Sequence, residues 1–88
     1  QEVVQLETSP NPFQANTLIR IDLKAPDFLS LQIINSNGQK IHTIFENQWL
    51  PKGLFSYNWD AKNAPAGNYL ITLKSGQKIL GQTFVCKQ

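Results

Sequence analysis

The sequence predicts an all-β domain, a sandwich or a barrel, on three observations. Val, Ile, Thr, Phe, Tyr and Trp make up 25 of the 88 residues, against three Glu and five Ala, and that balance favours strands over helices. Turn signals recur at short intervals, at Ser9-Pro10-Asn11-Pro12, Ala25-Pro26-Asp27, Asn35-Ser36-Asn37-Gly38, Pro51-Lys52-Gly53, Asn63-Ala64-Pro65-Ala66-Gly67 and Ser75-Gly76. Between them lie runs of strand length, and several alternate apolar and polar residues with a period of two.

Seven strands follow in order. The first, Val3–Glu7, is short and has a weak apolar pattern. The second, Thr17–Leu23, sets Ile19, Ile21 and Leu23 on one face and Arg20 and Asp22 on the other. The third, Phe28–Asn35, turns Leu29, Leu31 and Ile33 inward. Asn37-Gly38 then stands between two apolar runs. Both residues tolerate positive φ, so a two-residue type I′ hairpin is expected, with Gln39–Phe45 pairing back as the fourth strand. In this region Ile41, Ile44, Phe45, Gln48 and Trp49 also fit helical spacing. The hairpin signal, two isoleucines and Thr43 favour a strand. Phe55, Tyr57 and Trp59 alternate in the fifth strand, and Tyr69, Ile71 and Leu73 in the sixth. Ser75-Gly76 turns the chain into the seventh, Lys78–Cys86. Its inward set is either Leu80, Phe84 and Cys86, or Ile79, Thr83 and Val85, with Gly81 marking a bulge. The expected core includes Ile21, Leu31, Ile33, Tyr57, Trp59 and Ile71.

Composition narrows the functional classes. One domain, 1–88, accounts for the chain, which begins at Gln1, lacks methionine and reads as a piece of a longer protein. Eight Lys/Arg against six Asp/Glu give a net charge of +2. The basic residues are scattered, not clustered into a nucleic-acid footprint. No apolar run approaches the ~18 residues of a spanning helix. A single cysteine, Cys86, and a single histidine, His42, supply neither an internal disulfide nor the usual zinc sets. No metal or cofactor is expected.

Catalytic candidates are few. Asp22 falls on an outward strand face, and Asp27 and Asp60 fall in turns, where Asp side chains usually cap backbone groups. A Cys86–His42 pair would have to be made by the fold, since no local feature activates the thiol. The glycines never cluster into a phosphate-binding loop. Trp49 sits in an expected loop beside Asn47 and Gln48. It either packs over the sandwich edge or stacks on a sugar ring.

The ordered phrases Ser9-Pro10-Asn11-Pro12-Phe13, Thr17-Leu18-Ile19-Arg20-Ile21, Leu31-Gln32-Ile33-Ile34-Asn35-Ser36-Asn37-Gly38-Gln39-Lys40-Ile41, Gly53, Trp59-Asp60 and Gly67-Asn68-Tyr69 lead to a last strand reaching Lys87. This order resembles the C-terminal sorting domain (type A) of the type IX secretion system of Gram-negative bacteria, over about Leu6 to Gln88. Two positions depart from the family's usual pattern: Asn68 between Gly67 and Tyr69, and the Val85-Cys86-Lys87-Gln88 ending. The resemblance implies a seven-stranded immunoglobulin-like β-sandwich and a non-enzymatic secretion signal at the end of a larger protein. It also implies an outer-membrane translocon as receptor and a sortase-like cysteine peptidase that removes the tag at the cell surface. The candidate recognition residues are Pro10, Asn11, Pro12, Gly67, Tyr69 and Lys87. Pro10 and Pro12 should form an extended crossing between the first two strands. Gly67 should serve a close approach, and Lys87 should be a mobile exposed charge. Few apolar side chains should remain outside the core. The short first strand should detach and exchange between molecules through its edge. The competing reading is a carbohydrate-binding or spacer sandwich attached to a polysaccharide-degrading enzyme.

Overall fold

The computed structural model of the chain describes residues 4–88. Seven strands follow one another: β1 (Val4–Ser9), β2 (Asn16–Leu23), β3 (Asp27–Asn35), β4 (Lys40–Leu50), β5 (Gly53–Asp60), β6 (Gly67–Ser75) and β7 (Lys78–Lys87). They form two antiparallel sheets, β1-β2-β5 and β4-β3-β6-β7. The arrangement is that of an immunoglobulin-like sandwich, the architecture the family resemblance implies, and it decides between the sandwich and the barrel that alternation and turn spacing left open. Val3, which the sequence places in the first strand, lies outside the described residues. The rest of that strand is longer than expected, pairing with β2 from Val4↔Leu23 to Ser9↔Leu18.

The core lies between the sheets. Ile19, Ile21 and Leu23 of β2 face Leu29, Leu31 and Ile33 of β3 and Tyr69, Ile71 and Leu73 of β6, all buried. In β2 and β3 the buried positions recur with a period of two, while β6 buries Thr72 as well between Ile71 and Leu73. Apart from Thr17 of β2, the inward side chains of these strands are branched aliphatic or aromatic groups, the types that pack best on a pleated surface. Trp59 is buried too, but Tyr57 is only half-buried. β5 is an edge strand, so its middle residues are covered on one flank only. Burial still pushes the Tyr57 hydroxyl above its ordinary pKa of 10.0.

The hairpin between β3 and β4 forms, but not as a two-residue type I′ turn. Only Gly38 has positive φ, at 83°. The Asn35 amide donates to the Gln39 carbonyl at 2.9 Å, so Ser36, Asn37 and Gly38 all lie in the loop. This is the wider hairpin in which a type I turn ends on a left-handed glycine. Asn35 fixes it through its side chain, whose Oδ1 accepts the backbone N–H of Asn37 at 3.0 Å and of Gln39 at 2.9 Å.

β4 runs on to Leu50, so Trp49 belongs to a strand and not to a loop. The register of β4 against β3 shifts between Leu29/Leu31, Leu31/Gln32 and Ile33/Ile34. Each shift inserts an extra residue and turns the following side chains to the other face. The pseudo-helical spacing of Ile41, Ile44, Phe45 and Trp49 is the imprint of these bulges. β7 contains one more. Leu73 pairs with Gly81 and Lys74 with Ile79, leaving Leu80 as the extra residue. Neither expected inward set is therefore right as a whole. Leu80, at the bulge itself, packs on the core, and Thr83, Val85 and Lys87 face inward after it.

Candidate functional site

β7 is the last strand of its sheet, and its outer edge would be open were it not for the segment between β1 and β2. That segment crosses to the opposite sheet instead of turning within its own. Pro10 and Pro12, each preceded by a cis peptide bond, offer no backbone N–H to a ladder. The side chain of Asn11 replaces it. Asn11 Nδ2 donates to the Phe84 carbonyl at 3.0 Å, and Asn11 Oδ1 accepts the Cys86 N–H at 3.0 Å. One carboxamide thus presents the donor and the acceptor that a neighbouring strand would present. Phe13 then continues with its backbone: its N–H donates to Cys86 at 2.9 Å and its carbonyl accepts Gln88 N–H at 2.8 Å, a parallel bridge opposite Lys87. The connection is bent, not the extended crossing expected from its prolines. Thr17, wholly buried, ties it to β2 by donating from Oγ1 to the Pro10 carbonyl at 2.9 Å.

Beneath this clasp the Phe13 ring enters the core. It meets Trp59 at a centroid distance of 5.6 Å, and Trp59 meets Tyr69 edge-on at 5.2 Å. The three rings join the clasp, β5 and β6 at one end of the sandwich. Tilted and edge-on pairs of this kind add to simple burial.

The loop from β5 to β6 is held at the same end. The Asp60 carboxylate accepts the Lys62 N–H at 3.2 Å, the turn-capping role its position suggests. The Ala61 N–H donates to Ala15 at 2.8 Å. Tyr69 donates its hydroxyl to the Pro65 carbonyl, the tyrosine corner of immunoglobulin-like sandwiches, at the start of the strand where that motif belongs. Gly67 has φ of 148°, which an L side chain rarely adopts, while an added Cβ would meet nothing within 4 Å. Conformation, not close approach, requires glycine there.

Lys87 is not a mobile surface charge. It is 9% exposed, faces the core end opposite Gly67, and donates from Nζ to the Ala64 carbonyl at 2.7 Å. Its aliphatic stem follows Val85 inward while the ammonium group secures the β5–β6 loop. All six candidate residues therefore meet around the end of β7: Pro10, Asn11 and Pro12 on its outer edge, Gly67 and Tyr69 on its partner strand, Lys87 within it. Their chemistry there is holding.

The outer face above them is more apolar than alternation alone suggests. Phe84, 70% exposed, stands opposite Leu70, which stands opposite Ile34. At the other end of the sheet Phe28 pairs with Trp49, and these are 54% and 53% exposed. The expectation of few outward apolar residues fails. Strand alternation predicts which residues point outward, not whether they are polar. Phe84 could be suspected from sequence only once the phase of β7 was known, and the bulge at Leu80 hid that phase.

Among the described residues, no three His, Cys, Asp or Glu side chains lie close enough to share a metal ion. His42 and Cys86 lie on β4 and β7, the opposite edges of one sheet. Three interstrand steps, about 14 Å, separate those edges. Asp22 pairs with Lys24 at 2.8 Å, and Asp27 accepts its neighbour's N–H at 2.7 Å.

A family model described as the secretion system C-terminal sorting domain matches residues 9–87. The chain belongs to that family. The match begins at Ser9, the last residue of β1 and two residues before the clasp, and ends at Lys87, the residue opposite Phe13. The sorting domain is a type IX secretion module, from a family of non-enzymatic targeting domains. No curated protein matches the sequence.

Proposed function

We propose that this sorting domain is the export signal of a larger secreted protein whose cargo lies N-terminal to it. The type IX outer-membrane translocon reads it as a folded surface, and a sortase-like cysteine peptidase then removes it at the cell surface of a Gram-negative bacterium. The observation that carries this reading is the convergence of the family's motif residues on the end of β7, below an exposed Phe84. Asn11 and Lys87 tie the last strand to the β1–β2 connection and to the β5–β6 loop, and the Pro10 carbonyl and the Tyr69 hydroxyl brace those two segments. Phe84, Leu70 and Ile34 form the row that this strand presents. On this reading the motif builds the signal and the outer face is the signal.

The test is export of a reporter fused upstream of the domain in a competent host. The intact fusion reaches the medium or the cell surface, and a fusion lacking residues 83–88 stays in the periplasm. Because that deletion also removes the clasp, Phe84→Ser separates recognition from folding: it keeps the backbone pairing and stops export. Export of the Phe84→Ser fusion at the full level refutes the assignment of the outer row.

A second reading, a carbohydrate-binding or spacer sandwich, draws on the exposed Phe28–Trp49 pair beside Asn47 and Gln48. Sugar rings stack on such surfaces. Binding to a glycan panel that is abolished by Trp49→Ala, with export unaffected by Phe84→Ser, favours it over the export signal.

A further inference from the structure

Four edges bound the two sheets: β1 and β5 in one, β4 and β7 in the other. An open edge carries unpaired N–H and C=O groups and accepts an added strand unless something guards it. Three of the four are guarded. β7 has the Asn11–Phe13 clasp along one half, and along the other β1 comes close, with Leu6 3.6 Å from where a Cβ on Gly81 would sit. The same approach covers β1. β4 is broken by its bulges, turns left-handed at Asn47 with φ of 49°, and is followed by Pro51. Beyond its first residue, Gly53, β5 has none of these devices among the described residues. It is 8 residues long and pairs with β2 without a break from Leu23↔Gly53 to Asn16↔Asp60. Leu54–Trp59 contains no charge, no proline and no glycine, the composition of a segment that pairs with itself. Leu54 is 81% exposed, and Phe55 and Tyr57 are left half-buried along this edge.

We propose that β5 is an interface with a second copy of this chain. The two strands pair antiparallel about a two-fold axis through Ser56, joining the sheets into one. Charge selects the register. Opposed residues in an antiparallel pair share a face and interact directly. With Ser56 on the axis, Phe55 meets Tyr57, Leu54 meets Asn58, and Lys52 meets Asp60, each contact made twice. Moving the axis to Tyr57 brings Lys52 towards Lys62 and sets Leu54 against Asp60. The Ser56 register pairs unlike charges and completes the burial of both aromatic side chains. Such an isologous contact is closed and ends at two copies. It does not depend on the export reading. It moves the expected self-association from β1, which is paired over its whole length, to β5.

Cross-linking tests the register. In a Cys86→Ser background, Ser56→Cys places two thiols on directly opposed residues. Their Cα atoms are about 4.5–5.5 Å apart, inside the range of about 4.4–6.8 Å that a disulfide spans. Oxidised glutathione should then give a covalent dimer of the 88-residue chain. Asn58→Cys in the same background should not cross-link, because its two copies are offset by about 13 Å along the strands. In sedimentation, the unmodified chain should show concentration-dependent dimerisation. Ser56→Lys, an exposed change that sets two ammonium groups face to face, should weaken it about fivefold, and Ser56→Thr should leave it intact. A chain that stays monomeric at millimolar concentration overturns the proposal. So does equal cross-linking at positions 56 and 58, or a dimer that Ser56→Lys leaves unchanged.

Discussion

Phe84 and Lys87 lie three residues apart on β7 and so face opposite ways. Lys87 looks from sequence like the group a receptor would read, since an exposed ammonium near a strand end is the obvious point of contact. The structure gives it an internal partner, the Ala64 carbonyl. Lys87→Met, which keeps the stem and removes the donor, should therefore lower stability by about 1–2 kcal/mol, measured by urea unfolding. A loss below about 0.5 kcal/mol, the usual size of a surface change, would mean that the bond does not persist in solution. Phe84→Ser should leave the urea midpoint almost unmoved. Tyr57 offers a pH-dependent check. Its hydroxyl is raised above 10.0 in the folded state by loss of hydration, so the folded protein holds that proton more tightly than the unfolded chain. Its contribution to stability is complete below pH 10 and is lost as pH rises through the folded-state value. Tyr57→Phe should flatten the alkaline fall in stability, and an unchanged alkaline limb would assign the fall to other groups.

Among the elements, regular strands and bulged strands differ in how far sequence predicts them. β2 and β3 keep the period of two, and their bounds, to within one residue, and inward faces are legible from the residues alone; for β6 the inward Tyr69, Ile71 and Leu73 are legible, though Thr72 between them is buried too. β4 and β7 are not, because an extra residue in a ladder reverses the phase of everything after it. The hairpin tip illustrates the same limit: Asn37-Gly38 announces a turn, but the Asn35 carboxamide decides its width. Asn11 is another case. Its presence in a Pro-Asn-Pro phrase marks it as unusual, but its partners on Phe84 and Cys86 lie more than seventy residues away, beyond any local pattern. Asn11→Ala should cost about 1–2 kcal/mol. It should also raise hydrogen exchange at the Cys86 and Gln88 amides before it affects β2. Asn11→Asp keeps an acceptor for the Cys86 N–H but opposes the Phe84 carbonyl with a negative oxygen, so it should restore little. Unchanged protection of the Cys86 amide in both variants would show that the clasp is dispensable.

Across the whole molecule, several of the phrases that carry the resemblance to the sorting family are spread along the chain but gathered in space. Residues 10–13, 59–60, 67–69 and 84–87 come from four stretches and meet at one end of a body measuring 34 × 22 × 18 Å. The sequence alone makes the motif recognisable without revealing that its members touch. The topology supplies that link by carrying the β1–β2 connection over to the other sheet. The interior strands β3 and β6, each flanked on both sides, should hold the slowest-exchanging amides, with β5 the fastest among the paired strands of its sheet. Slow exchange along the outer-edge amides of β5 in dilute solution would contradict its being an open edge.

The clasp also bears on how the protein ages. Asparagine loses its amide most readily when the backbone nitrogen of the next residue attacks the side-chain carbonyl. Pro12 supplies no N–H for that reaction, so the carboxamide on which the β7 edge depends is followed by the one residue type that blocks its decay. Asn37 has no such protection. It is exposed at a hairpin tip and followed by Gly38, whose N–H is engaged only by the Asn35 carbonyl at 3.0 Å. After prolonged incubation at mildly alkaline pH, peptide mapping should find conversion to aspartate or isoaspartate at Asn37 and an intact amide at Asn11. The domain would then grow chemically older at its hairpin tip while the joint that closes it stays as it was made. Conversion at Asn11 as fast as at Asn37 would refute this.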